Sequence, residues 1–242
     1  MLNLNEKKAL ITGSTQGIGL AIAKVLSQAG ATVFINGATS KEKVQEVCEM
    51  IPLSKPALCD LSLPCCAEKL YEITGNVDIL ILNASIQFRT PWEQIPEEEF
   101  DKQLTVNFKS SFQLMQKYVS YMKEQKWGRI ITIGSVQQTV PHKDMAIYAS
   151  LKAAQVNLVK NVAKQVAPYG VTVNNVAPGV IATPRNEAAL ADKDYEKKVL
   201  DSIPCGYAGE GIDCAYQVLL LASDEGRYIT GEDIFIDGGM SL

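Results

Sequence analysis

Near its N-terminus the chain reads Ala9-Leu10-Ile11-Thr12-Gly13-Ser14-Thr15-Gln16-Gly17-Ile18-Gly19. A short apolar run is followed there by a glycine-rich turn and then by the start of a helical pattern. The glycines allow the backbone to turn sharply and to approach a ligand closely. A helix that begins at this turn presents free N–H groups and the positive end of its dipole to a pyrophosphate. The stretch therefore predicts a strand, a phosphate-binding turn and a helix, with a tight turn that binds nothing as the alternative.

The same alternation of apolar runs and helical patterns continues along the chain. The apolar runs are rich in valine and isoleucine and mostly lack alternating polar residues, which favours a parallel sheet covered on both faces. We therefore expect one doubly wound α/β domain over residues 1–242. A charged, proline-bounded stretch at 184–206 is predicted to be an excursion over the sheet edge that covers the substrate. The apolar runs span 9–11, 33–35, 77–82, 130–133, 171–176 and 234–236, and the helical patterns span 18–29, 41–50, 97–124, 148–167 and 212–222.

Composition narrows the class of protein. The 242 residues are 47% hydrophobic and 21% charged, and their formal net charge is −4. These values are typical of a soluble globular domain. No long basic run or bilayer-length apolar segment is present, so we expect neither a nucleic-acid nor a membrane partner. The polar N-terminus and six cysteines predict a cytoplasmic protein with reduced thiols, and the single histidine argues against a metal site.

Three residues form a candidate proton-transfer group. Tyr148 and Lys152 are four residues apart in a helical pattern, so both project from one face. A free phenol has a pKa near about 10, and a neighbouring ammonium lowers it. The pair is therefore suited to act as acid in one direction and as base in the other. Ser135 follows an apolar run, at the end of a strand where open α/β sheets bind ligands.

The order of these elements resembles the short-chain dehydrogenase/reductase (SDR) family. The resemblance covers essentially the whole chain and implies a Rossmann-type domain with a mainly parallel seven-stranded sheet and helices on both faces. It also implies an NAD(P)(H)-dependent oxidoreductase that interconverts a carbonyl and a secondary alcohol. The matching elements are the turn at 12–19, Asp60, Asn83-Ala84, Asn107, Ser135, Tyr148, Lys152, and Pro178-Gly179 followed by Thr183.

The resemblance also assigns roles to individual residues. Tyr148 would be the general acid/base, Ser135 would orient the substrate oxygen, and Lys152 would lower the tyrosine pKa and hold the nicotinamide ribose. Asn107 would anchor a water molecule in a proton relay. The residues expected to contact the cofactor are Gly13, Ser14, Thr15, Gln16, Gly17, Ile18, Gly37, Thr39, Asp60, Leu61, Asn83, Ala84, Tyr148, Lys152, Pro178, Gly179, Ile181 and Thr183.

The end of the second apolar run bears on the choice of cofactor. NAD enzymes usually place a carboxylate near this point, and here none occurs before Glu42. The arginine expected for a 2′-phosphate is missing too, and Gln16 stands where a basic residue would have helped. Thr39, Ser40 and Lys41 are the available donors, and we expect NADP(H) to be favoured over NAD(H). One departure from the family pattern lies nearby, since Ser85 replaces a glycine beside the cofactor.

The segments expected to bound the substrate are polar. An apolar substrate would leave their donors unpaired, which favours a small polar molecule such as a polyol, sugar or hydroxy acid. The alternative is that most of these side chains face water, and His142 in particular would suit a surface loop. The predicted substrate contacts are Ser135, Gln137, His142 and Arg185, within a set that also includes Gln87, Arg89, Gln138 and Asn186.

Two other functions remain open from the sequence. The segments 129–135, 228–232 and 237–240 resemble 3-oxoacyl-carrier-protein reductases, but they recur across the family. An acidic carrier protein would need a basic docking patch; Arg129 is present, whereas Tyr169 stands where those reductases tend to carry a basic residue. A catalytically idle dinucleotide-binding scaffold is the second alternative. By resemblance, we also expect a homotetramer formed through the helices at 97–124 and 148–167.

Overall fold

Seven strands form the centre of the molecule. The computed structural model describes residues 2–186 and 191–242. The strands are β1 (Lys8–Ile11), β2 (Thr32–Gly37), β3 (Ser54–Leu58), β4 (Ile79–Leu82), β5 (Gly128–Ile133), β6 (Val171–Pro178) and β7 (Asp233–Ile236). They pair in the order β3-β2-β1-β4-β5-β6-β7, and every pairing is parallel. The strand order changes direction between β1 and β4, and open α/β sheets bind their ligands at such a point.

Helices cover both faces of this sheet and confirm the predicted doubly wound α/β architecture. Successive strand residues face opposite sides, so the sheet contributes to two apolar cores. Ile11, Ile81 and Ile131 pack on the side of the first and last helices, whereas Leu10 and Leu80 pack on the other side. The helices are α1 (Gly17–Gln28), α2 (Lys41–Met50), α3 (Cys66–Thr74), α4 (Glu97–Leu104), α5 (Ser110–Glu124), α6 (Ala146–Val166), α7 (Lys193–Asp201) and α8 (Gly211–Ala222).

The structure differs from the sequence expectations in three elements. Strand β3 has no apolar run, because it lies at the sheet edge and exposes Lys55 and Pro56. Helix α3 was not among the predicted helical patterns. The single helix expected over 97–124 is divided by a π-helical turn, Thr105–Lys109, between α4 and α5. Such turns are rare and occur often at functional sites, and this one contains Asn107.

The predicted excursion at 184–206 leaves the sheet after β6. Residues 184–186 are helical, residues 187–190 lie outside the described part of the chain, and α7 follows. The chain then returns to the sheet, where the Cys205 N–H donates to the Gly238 carbonyl over 3.1 Å. Within the described residues, no helix is both long enough and apolar enough to cross a membrane.

Candidate active site

One cavity of about 610 Å³ opens along the carboxyl ends of the strands. It runs from the ends of β2 and β3, across the turn after β1, to the loops after β5 and β6. The described part of the excursion closes it on one side through Asn186, Tyr195 and Val199. The cavity therefore occupies the position that the strand order predicts for a ligand.

The turn after β1 is shaped to hold an anion. Gly13 and Gly17 adopt φ angles of +62° and +58°, a backbone conformation that side chains disfavour. Gln16 precedes α1, but its side chain caps no N–H group, and no acidic residue lies in the first helical turn. The first N–H groups of α1 therefore remain available for the pyrophosphate of a dinucleotide.

Side chains from neighbouring strands hold this turn in place. The Asn36 amide oxygen accepts the Gly13 N–H over 3.0 Å, and its nitrogen donates to the Ala57 and Cys59 carbonyls. The Thr12 hydroxyl accepts the Asn83 N–H over 2.9 Å. The Asn83 amide nitrogen donates in return to the Thr12 carbonyl over 2.9 Å. The glycine turn is thus connected by hydrogen bonds to β2, β3 and β4, which restricts its movement.

Most of the residues expected at the cofactor line the cavity, and three do not. Ser14 is buried and uses its hydroxyl within the protein, on the Ile11 carbonyl and the Asn36 N–H. Thr39 lies outside the lining, and Lys152 lies behind it. The residues brought together along the cavity are Gly13, Thr15, Gln16, Gly17, Ile18, Gly37, Asp60, Leu61, Asn83, Ala84, Tyr148, Pro178, Gly179, Ile181 and Thr183.

Tyr148 and Ser135 face the same cavity from α6 and from the end of β5. The Ser135 hydroxyl oxygen accepts the Gln137 N–H over 3.2 Å, which fixes the side chain and leaves its proton free to donate. Tyr148 is 5% exposed, and its hydroxyl bonds to no other described residue. The two hydroxyls are therefore available to a carbonyl or alcohol oxygen in the cavity.

Lys152 lies one helical turn from Tyr148 and is 1% exposed. Its Nζ donates to the Ile133 carbonyl over 2.6 Å and lies 5.7 Å from the centroid of the Tyr148 ring. Burial, together with the positive charge of Arg185, lowers the pKa of Lys152 to about 7. The structure thus positions the lysine beside the tyrosine, as expected, in an environment that disfavours its charged form.

Asn107 holds the loop that follows β4. Its amide oxygen accepts the Ile86 N–H over 2.8 Å, and its amide nitrogen donates to the Ile86 carbonyl over 2.8 Å. This double contact joins the π turn to the loop beside the cavity. The side chain therefore positions the loop, whereas the water-anchoring role stays a prediction.

The polar residues expected at the substrate end separate into two groups. Gln138 turns away from the cavity and donates to the Asp233 carboxylate over 2.6 Å. The side chain of Gln137 lines the cavity, and its amide oxygen is buried without a hydrogen-bond partner in the described structure. Seven of the eight line the cavity, namely Gln87, Arg89, Ser135, Gln137, His142, Arg185 and Asn186.

The comparisons with known proteins agree with this geometry. A family model described as enoyl-(acyl carrier protein) reductase matches residues 13–241. The chain is 38% identical to 3-oxoacyl-[acyl-carrier-protein] reductase FabG of Escherichia coli strain K12 over 250 positions, which cover 100% of both chains. The chain belongs to the short-chain dehydrogenase/reductase family. It is accordingly an NAD(P)-dependent oxidoreductase acting on alcohols and ketones.

Solved structures of other SDR proteins show the same fold with different substrates. A 3-oxoacyl (acyl-carrier-protein) reductase of Agrobacterium tumefaciens with NADP bound gives a TM-score of 0.93 at 33% identity, covering 98% of this chain and 95% of that one. A gluconate 5-dehydrogenase of Burkholderia cenocepacia with NADP and tartrate gives 0.91 at 30% identity, covering 99% and 96%. The family and fold therefore leave the substrate to be argued from the site itself.

The burial of Arg129 excludes the docking role that the sequence left open for it. Arg129 is 1% exposed and lies near the amino end of β5, away from the cavity. Its guanidinium donates to the carbonyls of Gly128 and Ser223 and lies 3.5 Å from the Asp224 carboxylate. It braces the amino end of β5, at the end of the sheet away from the cavity, and is not accessible to a carrier protein at the active-site mouth.

Two contributors to this SDR site were not identified from the sequence. Asn36 holds the glycine turn in place, although the sequence shows it only as part of a strand end. A polar residue in a buried strand beside a glycine turn is the signal that could have indicated this role. The sequence points to Thr39, Ser40 and Lys41 as donors for a 2′-phosphate and does not single out Lys43. Its Nζ donates to the Gln16 amide oxygen over 2.8 Å and so places a positive charge at the adenosine end of the cavity. The signal was its position three residues after Ser40, which caps α2.

Proposed function

We propose that this SDR enzyme transfers a hydride between NADP(H) and a small polar compound, interconverting its carbonyl and secondary alcohol. The observation that carries the proposal is the polar wall beside Ser135 and Tyr148. Gln87, Arg89, Gln137 and His142 contribute polar side chains to this wall, and an apolar ligand would leave these groups unpaired, whereas ligand hydroxyls can bond to them. A polyol, sugar or hydroxy acid provides such hydroxyls.

The proposed mechanism assigns one task to each residue. The Ser135 hydroxyl donates to the substrate oxygen and holds it against Tyr148. The Tyr148 hydroxyl gives its proton to that oxygen during reduction and takes it back during oxidation. Lys152 stabilises the tyrosinate that forms, and the bound nicotinamide supplies the hydride chemistry. Asn107 keeps the neighbouring loop in position through Ile86 and is proposed to anchor the water of a proton relay.

The preference for NADP(H) is supported by the charge at the adenosine end. Lys43 stands beside Gln16, and a 2′-phosphate in this region would find a cation rather than a carboxylate. Glu42, the nearest acid in sequence, accepts a hydrogen bond from the Ser40 hydroxyl over 3.1 Å. A hydrogen bond to its own backbone N–H and this contact with Ser40 lower the pKa of the Glu42 carboxyl group. The carboxylate therefore stays ionised, and its hydrogen bonds keep it at the N-terminus of α2.

A 3-oxoacyl-carrier-protein reductase is the second candidate function, and the 38% identity with the Escherichia coli enzyme favours it. Two features speak against it. Arg129 is buried near the amino end of β5, so it offers no positive charge to an acidic carrier at the mouth of the cavity. The polar cavity wall would also leave donors unpaired around an acyl chain. Kinetics with an acetoacetyl thioester and with polar ketones would separate the two functions.

Other aspects of the proposed function rest on the family. We propose that the substrate is a free small molecule and that the enzyme works in the cytoplasm as a homotetramer. The relatives of similar length support these assignments by analogy.

The substitution Tyr148→Phe tests the proposed acid/base. Removal of the hydroxyl deprives the reacting oxygen of its proton donor, so we expect kcat to fall by about 10²- to 10⁴-fold. Turnover of polar ketones would be followed by the absorbance of NADPH, and NADPH binding would be titrated separately. Tyr216→Phe is a matched control, because Tyr216 is 62% exposed on α8. Turnover that persists in Tyr148→Phe would contradict the assignment.

A further inference from the structure

Two arginines reach the substrate end of the cavity from different loops. Arg89 belongs to the loop after β4, and Arg185 follows Thr183 beyond β6. Neither side chain forms a salt bridge within residues 2–186 and 191–242. The acidic residue among the described lining is Asp60, which follows β3 at the opposite end of the cavity. Both guanidinium groups are therefore exposed to solvent at this end of the cavity, with no carboxylate of the described residues within 4 Å of either.

Arg185 is held in position by Ser85. Its Nη1 donates to the Ser85 hydroxyl over 3.0 Å, and its Nη2 donates to the Ser85 carbonyl over 2.7 Å. A guanidinium has five N–H donors in a planar fork, so this contact leaves others free. The hydroxyl contact exists because serine stands where the family pattern has glycine. The departure at Ser85 thus acquires a role, since it orients the arginine across the cavity.

Arg89 and His142 complete the polar surface opposite Arg185. The Arg89 guanidinium carbon lies 5.9 Å from the centroid of the Tyr195 ring, close enough for a cation–π contact. Burial lowers the pKa of His142, and the charge of Arg89 lowers it further. A neutral His142 accepts the Asp144 N–H at Nδ1 over 3.2 Å, so its proton is on Nε2 and available to a ligand.

We propose that Arg185, oriented by Ser85, and Arg89 bind a carboxylate of the substrate, so that the enzyme selects hydroxy acids and keto acids over neutral polyols. This inference rests on the proposed function and deepens it. A carboxylate matches the planar arrangement of guanidinium donors and neutralises charge that no described residue neutralises. A neutral substrate would leave both guanidinium groups without an anionic partner. Binding would also weaken the field of Arg185 at Lys152, which favours the charged lysine that the reaction needs.

Binding of matched ligand pairs to the NADP⁺-loaded enzyme tests the inference. The probes are hydroxy acids of two to six carbons, each paired with the alcohol in which CH₂OH replaces the carboxylate, such as D-gluconate with D-glucitol. Calorimetric titration should show the acids binding at least about tenfold more tightly than their alcohols. An absence of any preference for acids across the series would overturn the proposal.

Variants test whether the preference depends on Arg185 and on Ser85, which orients it. We expect Arg185→Met to weaken the binding of acids by about 10- to 100-fold and that of alcohols by less than about twofold. Ser85→Gly should weaken the binding of acids by a smaller factor, because the backbone carbonyl contact remains. Arg227→Met is the matched control, since Arg227 is exposed beyond α8 and contacts its own loop. Equal effects of Arg185→Met on acids and alcohols would contradict the assignment.

Two further readouts, cofactor binding and turnover, distinguish the carboxylate site from a cofactor role of Arg185 and from the proposed oxidoreductase function. If Arg185→Met weakens NADP⁺ binding in the absence of substrate, then Arg185 serves the cofactor and the carboxylate site is wrong. If the enzyme binds acids no more tightly than their alcohols but reduces neutral ketones in a Tyr148-dependent manner, the carboxylate site is wrong and the proposed oxidoreductase function stands. If acids bind with the expected preference but no carbonyl compound is turned over, the proposed function fails and the carboxylate site stands.

Discussion

Lys152 is only 1% exposed, and its ammonium group donates to the Ile133 carbonyl over 2.6 Å and, over a longer 3.4 Å, to the Gln155 amide oxygen. Removing an ammonium group from water is unfavourable unless its partners compensate, and here the compensation is incomplete. Burial, together with the charge of Arg185, therefore lowers the pKa of Lys152 to about 7, whereas an unfolded chain keeps it at about 10.4. A charged Lys152 therefore lowers the free energy of unfolding of the protein.

This shift predicts a pH dependence of stability with a definite sign. Between pH 7 and pH 10 the unfolded chain holds a proton on Lys152 that the folded chain has released. The contribution of Lys152 to the free energy of unfolding should therefore rise with pH in this window, by at most about 1.4 kcal/mol per pH unit. Lys152→Met removes the proton site and should abolish this rise. Urea denaturation of the cofactor-free protein from pH 6 to pH 9.5 would measure the difference between the two proteins.

Lys160→Met provides the control for this measurement, because Lys160 is exposed on the same helix. It should retain the pH dependence of the wild type. Parallel curves for the wild type and Lys152→Met would show that Lys152 has an ordinary pKa in the folded protein.

Among the elements, the first turn of α2 determines the charge at the adenosine end. Ser40 caps the helix by accepting the Lys43 N–H over 3.1 Å, and this places the Lys43 side chain towards Gln16. If Lys43 contacts the 2′-phosphate, Lys43→Ala should raise the KM for NADPH by about tenfold and leave the KM for NADH nearly unchanged. Lys24→Ala is the control, since Lys24 is exposed on α1 and its loss changes the net charge equally. A parallel rise in both KM values would exclude a phosphate contact.

The elements also show where sequence patterns reach their limit. The glycine turn before α1 was predictable, because positive φ angles and free N–H groups demand glycine at Gly13 and Gly17. The π turn at Thr105–Lys109 was not, since the apolar pattern continues across it without a break. The turn is accompanied by a tertiary contact between Asn107 and Ile86 that has no counterpart in local periodicity. Strand β3 was not predictable from an apolar run either, because it lies at the edge of the sheet and an edge strand needs no continuous apolar run.

At the scale of the whole molecule, the site is assembled from loops far apart in the chain. Parallel strands bring their carboxyl ends to one edge, so the sequence could predict that Ser135, Asn83 and Asp60 lie along the same cavity. Side-chain contacts between the loops are a different matter. Ser85 and Arg185 are 100 residues apart, and no spacing rule connects them. The general position of the site is therefore encoded in strand order, whereas substrate selectivity arises from pairs that only the folded molecule brings together.

The assembly of several chains is the last level at which a prediction can be argued. Helices α4 and α5 leave Phe100 and Phe112 exposed by 41% and 39%, and such large apolar side chains favour burial against another copy. By analogy with the family, we expect a homotetramer formed through α5 and α6. Light scattering at micromolar concentration should then give four times the 26.4 kDa of one chain.

A charge placed on this surface tests where the chains meet. Phe112→Glu would bury an unpaired carboxylate in the interface, so we expect it to shift the assembly towards dimers or monomers. Met50→Glu is the matched control, because Met50 is 62% exposed at the end of α2, away from α5 and α6. A wild-type monomer would contradict the tetramer outright. A tetramer that Phe112→Glu leaves intact would instead place the interface elsewhere on the molecule, since an interface carboxylate without a partner is not tolerated without loss of affinity.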